Sequence, residues 1–224
     1  MKSGDLVTLV SPSRHLRTHY TMSRFESSPK YAHGVSESVG LLLVNLGTPD
    51  APTPSAVRQY LAEFLSDPRV VELPRPIWWL ILHGFILRTR PTRSAKAYRK
   101  IWSDKGSPLL LHSEEIATKI QAALRSDFYA EVHVEIGMSY GNPSIKAALD
   151  KMFSHHVRRL VVLPLFPQYS GATTGSVFDA VTKLLSQRRW VPELKFINHY
   201  HDAPDYISSL AASVREHWTK NGRS

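Results

Sequence analysis

The sequence predicts a doubly wound α/β fold, with a parallel four-stranded sheet flanked by helices, and three features predict it. Four short apolar runs alternate with amphipathic helical segments, the order that builds parallel strands joined by helical crossovers. The runs at 41–46 (LLLVNL) and 160–165 (LVVLPL) are nearly continuous, as strands covered on both faces are. The first three runs end in glycine, proline and small polar residues, at the carboxyl edge where open sheets of this kind hold ligands.

The elements follow in order. The first strand closes at Gly47, and the loop TPDAPTP leads to a helix over 55–65, with Ser55 as its N-cap and Val57, Leu61, Phe64 and Leu65 on one face. Pro74 and Pro76 bracket the way into an aromatic stretch at 77–87 (IWWLILHGFIL), after which 93–102 reads as helical up to a GSP turn. Ser113 opens a helix over 113–124 carrying Ile116, Ile120 and Leu124, and 132–136 alternates as a second strand running into GMSYGNP. Asn142, Pro143 and Ser144 start a helix that ends at Phe153. The third strand is 160–165 with its helix at 175–186, and the fourth is 194–200 with a last helix at 205–220. Residues 1–38, rich in Ser, His, Tyr and Arg and lacking an apolar core segment, read as a poorly ordered N-terminal extension; 39–224 form the α/β domain.

Composition narrows the chemistry. With 42% hydrophobic and 10% aromatic residues, the 224-residue chain can bury a substantial core. It has no cysteine, which excludes disulfides, thiolate zinc sites, cysteine-ligated iron–sulfur clusters and thiol nucleophiles, and makes a cytoplasmic location the expectation. Twenty-eight Lys and Arg against nineteen Asp and Glu give +9, which favours anionic partners. The basic residues match no nucleic-acid-binding motif, so no nucleic-acid partner is expected. The stretch 77–87 is too short to cross a bilayer, which takes about 20 residues.

There is no G-x-G-x-x-G, G-x-x-x-x-G-K-[ST], G-x-S-x-G or H-E-x-x-H, so dinucleotide, P-loop, esterase and zincin chemistry lose their support. Among eleven histidines, His199 and His201 fall on one side of an alternating strand, but no third ligand stands out in sequence, and solvated histidines with no bound metal are the expectation. The polar strand ends to consider are residues 45–50, 138–142 and 168–176.

Four ordered blocks carry a resemblance: LLLVNLGTPDAPTPSAVRQYLAEFLSDPRVVELP, YRKIWSDKGSPL, GMSYGNPSI and VVLPLFPQYSGATTGSVFD. Together they closely resemble the bacterial ferrochelatases. The resemblance implies a lyase of haem biosynthesis that inserts ferrous iron, as substrate, into protoporphyrin IX, built from two similar α/β halves with the macrocycle between them. A porphyrin is an apolar disc with carboxylate tails, so it needs aliphatic and aromatic walls and a few cationic or hydroxyl anchors. Metal insertion also requires a base for two pyrrole protons.

On matching positions, the resemblance makes Leu46 a wall residue near the macrocycle centre, and Phe64, Leu65 and Val70 a hydrophobic lip. Arg90, Tyr98 and Ser107 become propionate anchors; by themselves these three read as exposed helix and turn residues, and helix core is the competing reading for Phe64 and Leu65. Tyr140 becomes an inner-pocket residue and Tyr169 a porphyrin contact shaped by Pro167, Gln168 and Ser170. Ser139 stands where some relatives carry a cation, and Gly171 where animal enzymes keep a cluster cysteine, so no iron–sulfur cluster and no prosthetic group are expected.

The resemblance places the family's catalytic histidine and glutamate in a second half, beyond Ser224, so no catalytic residue and no metal ligand is expected within 1–224, and the chain reads as the N-terminal half of such an enzyme, inactive alone. Residues 77–87, with Arg88, Arg90 and Arg93 following, suit either a lip packed on the domain, the favoured reading, or peripheral contact with a membrane interface. A non-catalytic porphyrin- or haem-binding module and a basic nucleic-acid-binding domain remain as alternatives.

Overall fold

The structure is a computed structural model that describes residues 25–26, 37–127 and 131–222. Its centre is a wholly parallel four-stranded sheet in the order β2-β1-β3-β4, formed by β1 (Ser38–Thr48), β2 (Val132–Gly141), β3 (Val157–Pro164) and β4 (Glu193–Phe196). The helices are α1 (Pro54–Ser66), α2 (Arg75–Ile81), α3 (Leu87–Ile101), α4 (Pro108–Asp127), α5 (Ile145–Ser154), α6 (Ser176–Leu185) and α7 (Pro204–Asn221). The expected α/β class is observed.

The alternation of side chains along β1 divides the core between the two faces of the sheet. Leu42 and Val44 pack with Leu149 and Met152 of α5, Val177 and Val181 of α6, and Leu160 and Val162 of β3. Leu43 joins Ile136 and Met138 of β2 on the other face, where Leu110, Ala117 and Ile120 of α4 cover them. Leu42, Leu43 and Val44 are fully buried, which explains why β1 reads as an unbroken apolar run.

Several boundaries differ from the sequence reading for identifiable reasons. The cap of α1 is Thr53, whose hydroxyl accepts from the Ala56 amide at 3.3 Å; Ser55 lies inside the helix because Pro54 already fits its first turn. The helix expected over 93–102 begins at Leu87, because a π-helical turn at Leu82–Ile86 carries the chain on from α2 and Pro91 is buried in packing. Helix α4 starts at Pro108, and Ser113 lies within it as a buried residue donating to the Leu109 carbonyl at 2.7 Å. A second π-helical turn, Gly171–Gly175, precedes α6. Strand β2 runs on to Gly141 because Gly47 and Thr48 continue to pair with it. The fourth strand stops at Phe196, so His199 and His201 are not on a strand.

Most of the expected extension 1–38 lies outside the described residues. Ser38 already belongs to β1, and the Glu26 amide donates to the Gln187 carbonyl at 2.8 Å, which ties that residue to the end of α6.

Candidate functional site at the strand tips

The strand order brings the three polar strand ends side by side. Gly47 of β1 pairs with Tyr140 of β2, and Val44 pairs with Pro164 of β3. The β1 tip is shaped by Asn45, whose Oδ1 accepts from the Leu46 amide at 2.8 Å and whose Nδ2 donates to Ser113 Oγ at 3.1 Å. Leu46 is half-buried beside it.

Tyr140 is buried, and its hydroxyl donates to Asp67 Oδ2 at 2.6 Å. Burial first, and then the Asp67 carboxylate, push its phenol well above the usual range, so this hydroxyl is a fixed neutral donor and no base. Asp67 also accepts the Arg69 amide at 2.7 Å on its other oxygen, and Arg69 forms a two-pronged ion pair with Asp179 of α6 at 2.5 and 2.9 Å. That guanidinium holds the Asp179 carboxyl below the ordinary carboxylate range. The loop after α1 therefore clasps the β2 tip on one side and α6 on the other.

Phe64 lies edge-on to Tyr140 with centroids 5.1 Å apart. Phe64 and Val70 pack around buried Leu65, Trp78, Leu82 and Leu87, a separate small core. Two carbonyls at the end of α1, which a helix terminus leaves without intrahelical partners, are capped from α2: the Trp78 indole donates to the Leu65 carbonyl at 2.6 Å and Arg75 to the Ser66 carbonyl at 2.5 Å. The aromatic stretch is thus divided. Trp78, Leu82 and Leu87 face inward, whereas Ile77, Trp79, Leu80 and Phe85 are 56%, 58%, 64% and 67% exposed, so the favoured expectation of a packed segment holds for only part of it.

The expected carboxylate anchors separate. Ser107 is buried, not an exposed turn residue, and lines a cavity of about 370 Å³ with Thr48, Asp50, Trp102, Lys105 and Asn142. Tyr98 is half-buried and shares a hydrogen bond with the Tyr60 hydroxyl, and burial raises both phenols. Arg90 is exposed on α3, and neither Arg90 nor Tyr98 lines that cavity. After β3, Pro167 is half-buried, while Gln168, Tyr169 and Ser170 stand exposed. Sequence reasoning passed over Asp67, Tyr60 and Lys105; the SDP string at 66–68 was a readable turn signal for the first, but its reach to Tyr140 was not.

Chemically, the edge offers aromatic and aliphatic surface and the buried hydroxyls of Tyr140 and Ser107, with Lys105 as a cation lining the cavity beside Ser107, at the carboxyl end of a parallel sheet. The family model for ferrochelatase matches residues 38–224, and the chain belongs to the ferrochelatase family. It is 53% identical to the ferrochelatase of Marinobacter nauticus, over 86% of this chain and 52% of that protein. It is 50% identical to that of Idiomarina loihiensis, over 90% of this chain and 55% of the relative. It is also 53% identical to ferrochelatase 2 of Shewanella oneidensis, over 85% and 58%. The chain spans about half the length of the curated relatives it matches.

Proposed function

We propose that this chain supplies one wall of a protoporphyrin site in haem biosynthesis, and that the complete protein inserts ferrous iron into protoporphyrin IX in the cytoplasm. The observation that carries this reading is the convergence of Leu46, Tyr140 and the 167–170 segment on three neighbouring strand ends. The macrocycle lies against Leu46 and a lip of Phe64 and Val70, which buried Leu65 supports from beneath, with Tyr169 over its edge. One propionate takes a hydrogen bond from Ser107 with Lys105 beside it as the cation, and the other is held from α3, outside that cavity, by the charge of Arg90 and by Tyr98. Iron enters as substrate; deprotonation of the pyrroles belongs to the other half, so the 224 residues bind porphyrin without turning it over.

Titration with protoporphyrin is expected to perturb the Soret band, with affinity falling roughly three- to tenfold in Arg90→Ala and in Tyr169→Ala, the loss of up to about 1.4 kcal/mol from a partly exposed contact. Unchanged titrations in both variants would remove these assignments. Iron insertion above the uncatalysed rate by the 224 residues alone would overturn the division of labour.

The exposed side of 77–87 supports peripheral contact with a membrane interface, where an apolar substrate is delivered. No helix among the described residues is long and apolar enough to cross a membrane. Ile77, Trp79, Leu80 and Phe85 are exposed apolar side chains on one short segment, followed in sequence by Arg88, Arg90 and Arg93, the pairing of apolar and cationic groups that binds anionic lipid. Sedimentation with anionic vesicles is expected to bring the protein down, and the double variant Trp79→Ser, Phe85→Ser to leave it in the supernatant. Equal sedimentation of both proteins would refute the contact.

A further inference from the structure

Beyond β4 the chain makes a short turn that gathers three metal-ligating side chains which its sequence alone leaves as two. His199, His201 and Asp202 each offer a ligand atom, and these atoms all lie within 4.8 Å of one another. His199 Nδ1 is 3.7 Å from Asp202 Oδ1, and the two imidazole centroids are 5.1 Å apart at 55°. Metal–ligand bonds of about 2.1 Å in tetrahedral geometry put neighbouring ligand atoms about 3.4 Å apart, so small rotations of exposed side chains close the set around an ion.

The backbone beneath them is held, although the side chains are exposed. The Tyr200 amide donates to the Pro167 carbonyl at 3.0 Å, and the Ala203 amide to the Tyr200 carbonyl at 3.1 Å, which closes the turn. The half-buried Tyr200 ring lies edge-on to Tyr206 of α7 at 5.4 Å. Tyr200 is thereby the anchor, and its two histidine neighbours project on either side of it in sequence. Two imidazoles and one carboxylate form a donor set suited to divalent first-row ions and poorly suited to calcium or magnesium, which prefer oxygen. Three protein ligands leave a coordination position open.

We propose that His199, His201 and Asp202 form a surface site for a divalent first-row transition metal ion. The hydrogen bond from Tyr200 to Pro167 puts it next to the segment that carries Gln168, Tyr169 and Ser170, at the same edge of the sheet as the strand tips. A link between this site and iron supply rests on the function proposed above; the binding of an ion does not, and the porphyrin titration and the metal titration fail separately.

The test is a titration of the whole chain, free of any histidine tag, with Co2+, read by its visible absorption and by calorimetry. One ion per chain is expected, with affinity reduced at least tenfold in His199→Ala and in His201→Ala and several-fold in Asp202→Asn. His112→Ala, at an exposed histidine elsewhere, is expected to bind as the parent does. All four positions are exposed, and matching thermal unfolding curves will separate lost binding from lost fold. Absence of binding up to about 1 mM Co2+, or binding that survives the His199→Ala, His201→Ala double variant, overturns the site.

Discussion

Gly47→Ala is expected to leave little folded protein. Gly47 sits at φ +107°, a backbone conformation that residues with a Cβ rarely adopt, and a Cβ built there falls 1.8 Å from the Tyr140 carbonyl oxygen. That oxygen belongs to the neighbouring strand, so no side-chain rotation relieves the overlap; β1 and β2 must separate at their tips. Strain and lost pairing together cost about 4 kcal/mol or more, a large share of the roughly 5–15 kcal/mol that holds an ordinary domain together. Soluble yield and the urea midpoint are the measurements. A variant as stable as the parent would show that the β1 tip is not built as described. The same separation displaces Tyr140 from Asp67, so in any variant that does fold the porphyrin binding proposed above is expected to weaken.

Trp78→Ala is expected to cost about 3–5 kcal/mol, the range for emptying a buried aromatic site. Two effects add. The side chain fills the small core between α1 and the start of α3, and its indole N–H caps the Leu65 carbonyl at 2.6 Å. Trp78→Phe separates them: it retains most of the packing and leaves the carbonyl without its donor, an expected loss of about 1–3 kcal/mol. Circular dichroism during urea unfolding reads both variants. Equal midpoints for Trp78→Ala and Trp79→Ala would refute the division of this stretch, since Trp79 is 58% exposed and its removal leaves the small core intact.

The sheet was legible because its strands are buried on both faces. A strand such as β1, with Leu42, Leu43 and Val44 all inaccessible, must be apolar throughout, and nothing in a loop or surface helix imposes that pattern. The strand-end segments were legible for a related reason: in a parallel sheet all the carboxyl ends share one edge, so knowing the strands locates the edge. Boundaries were less legible. The helix read as starting at 93 begins at Leu87, since the π-helical turn ahead of it and the burial of Pro91 let the chain stay helical through a proline. Ser113 looked like a cap because serine competes well for helix termini, yet its hydroxyl is used inside α4, against the Leu109 carbonyl and Asn45.

The site shows the same split. The strands that carry Leu46 and Tyr140 and the strand that leads into 167–170 are neighbours in the sheet, while the expected anchors do not share one cavity: Ser107 lines it, and Tyr98 is engaged with Tyr60. Asp67, which orients Tyr140 and its own loop, lies 73 positions from its partner, too far for any local pattern to reveal. The third member of the His199, His201 and Asp202 cluster was hidden for the opposite reason: strand alternation was assumed where the chain turns.

Patterns repeated over a few residues, the apolar runs, the helical stripes and the four family blocks, were enough by themselves to set the class of fold and the family, because burial and period act on neighbours in sequence. The pairing of distant groups was decided only in three dimensions: Tyr140 with Asp67, Arg69 with Asp179, and Trp78 with the end of α1. A hydrogen bond or ion pair depends on distance and direction between side chains, and those are properties of the packed chain.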